Sequence, residues 1–83
     1  MNNVIIISGG SDGLGQKLAE GLSPKNQVVI LSPIREKLEK VSNAINCDFE
    51  VVDITKPDCV EKAVASILCK YGKIDCLITN AGI

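Results

Sequence analysis

Val4-Ile5-Ile6-Ile7-Ser8-Gly9-Gly10-Ser11-Asp12-Gly13-Leu14-Gly15 is the stretch on which the fold turns. Its first four residues are continuously apolar, which suits a strand buried on both faces of a parallel sheet rather than one with a wet face. Glycines follow at once. Beyond them Leu14, Leu18 and Leu22 recur at i, i+4, i+8 and trace the apolar stripe of a helix that Ser23-Pro24 ends. A strand running through glycines into a helix is the setting in which a glycine pattern carries chemical meaning. Gly9 allows the tight turn out of the strand, Gly13 lets main chain approach a diphosphate with no Cβ in the way, and Gly15 lets the helix lie close to the sheet. The helix start offers unpaired N–H groups and about half a positive charge, so an anion can be held there without a lysine.

The pattern repeats along the chain. Val28-Val29-Ile30-Leu31 reads as a second buried strand, and Ser32-Pro33 is expected to open a helix with proline where its missing N–H costs little. Ile34, Leu38, Val41 and Ile45 form that helix's apolar face, with Glu36 and Lys40 as an exposed i, i+4 pair. Residues 49–54 read as a third strand. Asp58 and Glu61 have capping-box spacing for a third helix, whose stripe is Val60, Ala63, Val64, Ile67, Leu68 and Tyr71, with Gly72 as its left-handed stop. Cys76-Leu77-Ile78-Thr79 reads as a fourth strand. Helical connections between strands require parallel pairing and right-handed crossovers. The expected fold is therefore α/β, a partial Rossmann-type doubly wound parallel sheet, βαβαβαβ, with strand order 3-2-1-4. Helices one and two should cover one face and helix three the other.

Composition removes other classes. The 83 residues are 46% hydrophobic and 23% charged, which is globular rather than disordered. A net charge of −1 leaves no basic surface for nucleic acid or anionic lipid. The longest apolar run, Val4 to Ile7, is far too short to cross a bilayer, and Met1-Asn2-Asn3 lacks the positive start of a secretory signal. Cys47, Cys59, Cys69 and Cys76 form no C-x-x-C, and the chain has no histidine, which argues against a zinc site and removes Ser-His-Asp and Cys-His catalysis. These cysteines read as free thiols of a protein in the reducing cytoplasm.

Two phosphate loops fail here. Gly10 and Gly15 have the glycine spacing of a P-loop, but Gln16 stands where its lysine belongs. Gly9, Gly13 and Gly15 spell G-x-x-x-G-x-G, which departs from the G-x-G-x-x-G dinucleotide pattern. With this spacing the chain resembles the N-terminal half of the classical short-chain dehydrogenase/reductase family, whose T-G-x-x-x-G-x-G turn is matched from Ser8 to Gly15 with serine for threonine. Asp53-Ile54-Thr55 resembles the family's second signature, and Thr79-Asn80-Ala81-Gly82 resembles its N-N-A-G, with Thr79 in place of the first Asn. The resemblance implies an NAD(P) site made by Ser8, Gly9, Ser11, Asp12, Gly13, Leu14, Gly15, Ser32, Arg35, Asp53, Ile54, Asn80, Ala81 and Gly82. Within it Asp53 would accept a hydrogen bond from the adenine amino group, and Asn80, Ala81 and Gly82 would line the adenosine ribose.

NAD sites usually carry an acid about 20 residues past the glycines, and an arginine nearby accommodates the 2′-phosphate of NADP. Leu31-Ser32-Pro33-Ile34-Arg35 holds no acid. Arg35, with Lys17 more remote, therefore favours NADP, although Asp12 adds negative charge. The resemblance further implies hydride transfer between nicotinamide and a carbonyl or alcohol substrate, with the family's Tyr-x-x-x-Lys as acid/base. Tyr71, the only tyrosine, is followed at that spacing by Asp75, so these residues are expected to be inactive alone and Tyr71 to be a packing residue. The expected domain is a single partial one, 1–83, truncated before the catalytic half. A fourth strand with one open side invites association, including self-association. Two other readings remain: a non-catalytic dinucleotide-binding module, and a structural piece with an empty site.

Overall fold

The computed structural model describes residues 3–9 and 13–79. Strands β1 (Val4–Ser8), β2 (Gln27–Ser32), β3 (Asp48–Val51) and β4 (Cys76–Thr79) alternate with helices α1 (Gly13–Leu22), α2 (Arg35–Ile45) and α3 (Pro57–Tyr71). All pairings are parallel, with Ile5 beside Val28 and Cys76, Ile7 beside Ile30 and Ile78, and Val29 beside Asp48. The sheet order is β3-β2-β1-β4, the order expected for a partial Rossmann-type sheet.

Because β1 and β2 are central, both their faces are covered. Ile5, Ile7, Val28 and Ile30 meet Ala19 of α1 and Leu38 and Val41 of α2 on one side. Val4, Ile6, Val29 and Leu31 meet Ala63 and Ile67 of α3 on the other. Burial of each large aliphatic side chain contributes roughly 1.5–3 kcal/mol, and these two layers supply most of what offsets chain entropy. The open ends of β1 and β4 are clasped together: Val4 N–H donates to Asp75 Oδ2 at 2.7 Å, and Asp75 N–H returns to the Val4 carbonyl at 2.9 Å.

Several local expectations are corrected. β3 stops at Val51, not 54, because its partner β2 ends at Ser32 and a turn begins at Asp53, closed by Lys56 N–H on the Asp53 carbonyl at 3.0 Å. Ser32-Pro33 does not open α2. Its N-cap is Ile34, whose N–H donates to Ser32 Oγ at 3.2 Å, so serine and proline form the approach instead. The ion pair on the exposed face of α2 is Arg35–Glu39 at 3.9 Å, one residue earlier than expected. Asp58 does not cap α3. Lys56 takes that position without a side-chain bond, and Pro57 starts the helix. Gly72 ends α3 as expected (φ 80°), while Asn46 in left-handed geometry (φ 57°) ends α2. Leu14 and Leu68, assigned to buried stripes, are 64% and 44% exposed. Tyr71 packs against the α3-side core, with its buried hydroxyl lacking a partner among the described residues.

Candidate coenzyme site

The β1–α1 connection leaves the sheet at the carboxyl ends of its strands. Gly9 turns there with φ 78°, a conformation L side chains rarely adopt, and its N–H donates to the Leu31 carbonyl at 2.8 Å. Gly13 opens α1 with φ 43°, and a Cβ built on it would meet no described atom within 4 Å. Among the described residues nothing covers the main chain where α1 begins, and the first turn of α1 holds no acidic residue. Gly15 is buried against the sheet, whereas Leu14 beside it projects outward.

A cleft of about 320 Å³ opens at the same end of the sheet, lined by Ser8, Leu31, Ile54, Val60, Leu77 and Thr79. Ser8 lies between Leu31 and Thr79 in register, so three adjacent strand ends supply its floor. Ile54 reaches it because the turn after β3 carries that residue across, and Val60 comes from the first turns of α3. This is the crevice outside the strand ends, where open α/β sheets bind ligands.

Of the residues expected at the site, Ser8 and Ile54 line the cleft, Gly9 follows Ser8 at the end of β1, and Gly13, Leu14 and Gly15 lie in the first turn of α1. Ser11, Asp12, Asn80, Ala81 and Gly82 lie outside the described residues. Asp53 adjoins Ile54, but its Oδ1 accepts from Thr55 N–H at 3.0 Å and Thr55 Oγ1 at 2.6 Å. Those bonds favour the carboxylate and hold its pKa below the ordinary 3.8. Both fall on one oxygen, so Oδ2 keeps its acceptor capacity among the described residues. Ser32 and Arg35 do not line the cleft. Ser32 is buried and committed to Ile34, and the Arg35 guanidinium lies 5.8 Å from the centre of the Phe49 ring, close to Glu39. Leu31, Val60 and Leu77 were not among the expected site residues. Their apolar character reads as core in sequence, and only their position at strand ends and a helix start distinguishes them.

The glycine turn, the helix start and the apolar crevice sit on a parallel α/β fold. The family model of short chain dehydrogenases matches residues 3–83, and the chain belongs to that family. It is 38% identical over 85 residues to the NAD-dependent glycerol dehydrogenase of Listeria innocua, covering 99% of this chain and 34% of that protein. A short chain dehydrogenase from Bacillus anthracis superposes with a TM-score of 0.90 at 34% identity, over 95% of this chain and 34% of that one. A metagenomic short-chain oxidoreductase in complex with NADP gives 0.91 at 28% identity, over 98% of this chain and 39% of that one. The chain spans about a third of the length of the relatives it matches.

Proposed function

We propose that this chain is the coenzyme-binding half of an NAD(P)-dependent oxidoreductase that moves hydride between nicotinamide and a carbonyl or alcohol substrate. The observation that carries the reading is the cleft at the carboxyl ends of β1, β2 and β4, where β1 also runs into the positive-φ Gly9 that leads toward α1. Main-chain N–H groups at Gly13 would hold the diphosphate. The space between Leu31, Ile54 and Val60 would take the adenine, an apolar disc needing polar partners only at its rim, and Asp53 Oδ2 would accept from the amino group. When bound, the dinucleotide supplies the hydride chemistry. This chain's residues bind and orient it, and the proton-handling group lies elsewhere, since Tyr71 has no lysine at the required spacing. We place the protein in a reducing cytoplasm, in keeping with four cysteines that are all free.

Of the two coenzymes the reading favours NADP. No carboxylate ends β2 to grip a 2′-hydroxyl, and Arg35 is held by an exposed 3.9 Å contact to Glu39 and by the Phe49 ring, both of which a rotamer change releases. NADH and NADPH titrations of the purified chain, followed by fluorescence, test both parts. Saturable binding of either supports the site, and weakening of NADPH alone by Arg35→Ala supports the preference. If neither dinucleotide binds, the coenzyme reading fails.

A second reading is a dinucleotide-binding module without catalysis. Hydride transfer on supplying the missing catalytic portion would exclude it.

A further inference from the structure

Arg35 opens α2, and the direction of that helix decides where its guanidinium goes. The helix carries the chain from the carboxyl end of β2 back to the start of the parallel strand β3, so it runs against the strands. Arg35 therefore begins at the crevice end, and each later turn lies farther from it. Glu39 is one turn down, with Oε1 at 3.9 Å from Arg35 Nη1. Phe49 is paired with Ile30, two positions before Ser32 ends β2. Its ring packs on the α1/α2-side core and lies 5.8 Å from the guanidinium carbon. Both partners thus draw the charged head back along the helix, toward the amino ends of the strands. Neither grips it firmly, because the Arg35 and Glu39 side chains are 65% and 52% exposed, and ion pairs and cation–π contacts in water are weak.

We propose that Glu39 and Phe49 are positioning residues that park Arg35 away from the crevice and so set how strongly the protein prefers a coenzyme bearing a 2′-phosphate. This rests on the reading of the crevice as an NAD(P) site, and names what tunes its selectivity. A phosphate at the end of β2 competes with Glu39 for the guanidinium fork, and binding it lifts Arg35 off the Phe49 ring. A coenzyme with a free 2′-hydroxyl makes no such demand. Affinity for the phosphate form is reduced by the fraction of molecules whose arginine is free, so loosening the parked state tightens that form alone.

The test measures NADPH and NADH binding by calorimetry for Glu39→Gln and Phe49→Leu, each alone and combined with Arg35→Ala. Glu39→Gln should tighten NADPH about twofold and Phe49→Leu about two- to fivefold, with NADH unchanged. Both gains should vanish when Arg35→Ala is present. In the wild-type chain the Arg35 Nε–H resonance, displaced by the Phe49 ring current, should move on adding NADPH and stay put with NADH. A Phe49→Leu chain that fails to fold leaves the decision to Glu39→Gln, an exposed and conservative change. If neither coenzyme binds the wild-type chain, the crevice reading falls and this inference with it. If both bind but Glu39→Gln leaves the NADPH-to-NADH ratio unchanged, parking alone is overturned. A gain that survives in Arg35→Ala overturns it too, since Glu39 would then act by simple repulsion of the phosphate.

Discussion

Gly13→Ala separates what the glycine does for the fold from what it does for the ligand. At φ 43° an L residue costs about 1–2 kcal/mol in backbone strain, but no described atom lies within 4 Å of the added methyl. The structural penalty is therefore conformational alone. Lost unfolded-chain entropy offsets about 0.4–1 kcal/mol of it, leaving a net destabilisation of about 1 kcal/mol. In a domain of this size that lowers Tm by about 4–8 °C. The ligand penalty is separate, because the methyl occupies the space through which a diphosphate would reach the main-chain N–H groups. Losing two charge-assisted hydrogen bonds at about 1.5 kcal/mol each weakens binding about a hundredfold. Thermal unfolding by circular dichroism, with and without NADPH, reads both effects in one series. The wild-type chain should gain Tm with coenzyme, and the variant should start lower and gain almost nothing. A variant that melts lower yet shows the full coenzyme increment would refute the placement of the diphosphate at the start of α1.

Leu38→Ala deletes a fully buried side chain from the α1/α2-side core. The cost, about 2–5 kcal/mol, rivals the whole stability of so small a core, so the variant should be largely unfolded by circular dichroism at 25 °C. Asp75 has its pKa held below 3.8 by the Val4 N–H and then by Lys73, so its contribution is intact above the unfolded value and is lost as pH falls through the folded one. Tm should fall on acidification below about pH 4, and Asp75→Asn should flatten that slope; an unchanged slope counts against the clasp. Burial, and then the neighbouring Asp48 charge, push the Cys47 thiol up to about 11, while Cys69 and Cys76 are exposed. Iodoacetamide labelling at pH 8, read by peptide mass, should mark Cys69 and Cys76 well before Cys47. Early labelling of Cys47 would mean that the α1/α2-side core opens.

The backbone of the glycine turn was legible because its ingredients are local: strand, positive-φ Gly9 and Gly13, and helix start are adjacent in the chain. Strand order followed equally directly, since a parallel crossover permits few arrangements. The cleft was less legible. Ile54 was flagged by resemblance, but Leu31, Val60 and Leu77 read as core until the ends of three strands and the start of α3 met around one cleft. Arg35 shows the opposite limit: its sequence position suits a 2′-phosphate, but helix geometry sets its guanidinium near Glu39 and Phe49.

Alternation of β-branched runs with helical stripes was enough to establish a parallel α/β sheet with a glycine turn after its first strand, because side-chain period and loop length act within a few residues. What needed the tertiary structure was the fate of each apolar stripe. Leu14, Leu68 and Leu77 are as apolar as Leu38, yet only Leu38 is covered, since burial depends on which elements lie opposite a side chain and not on the side chain itself.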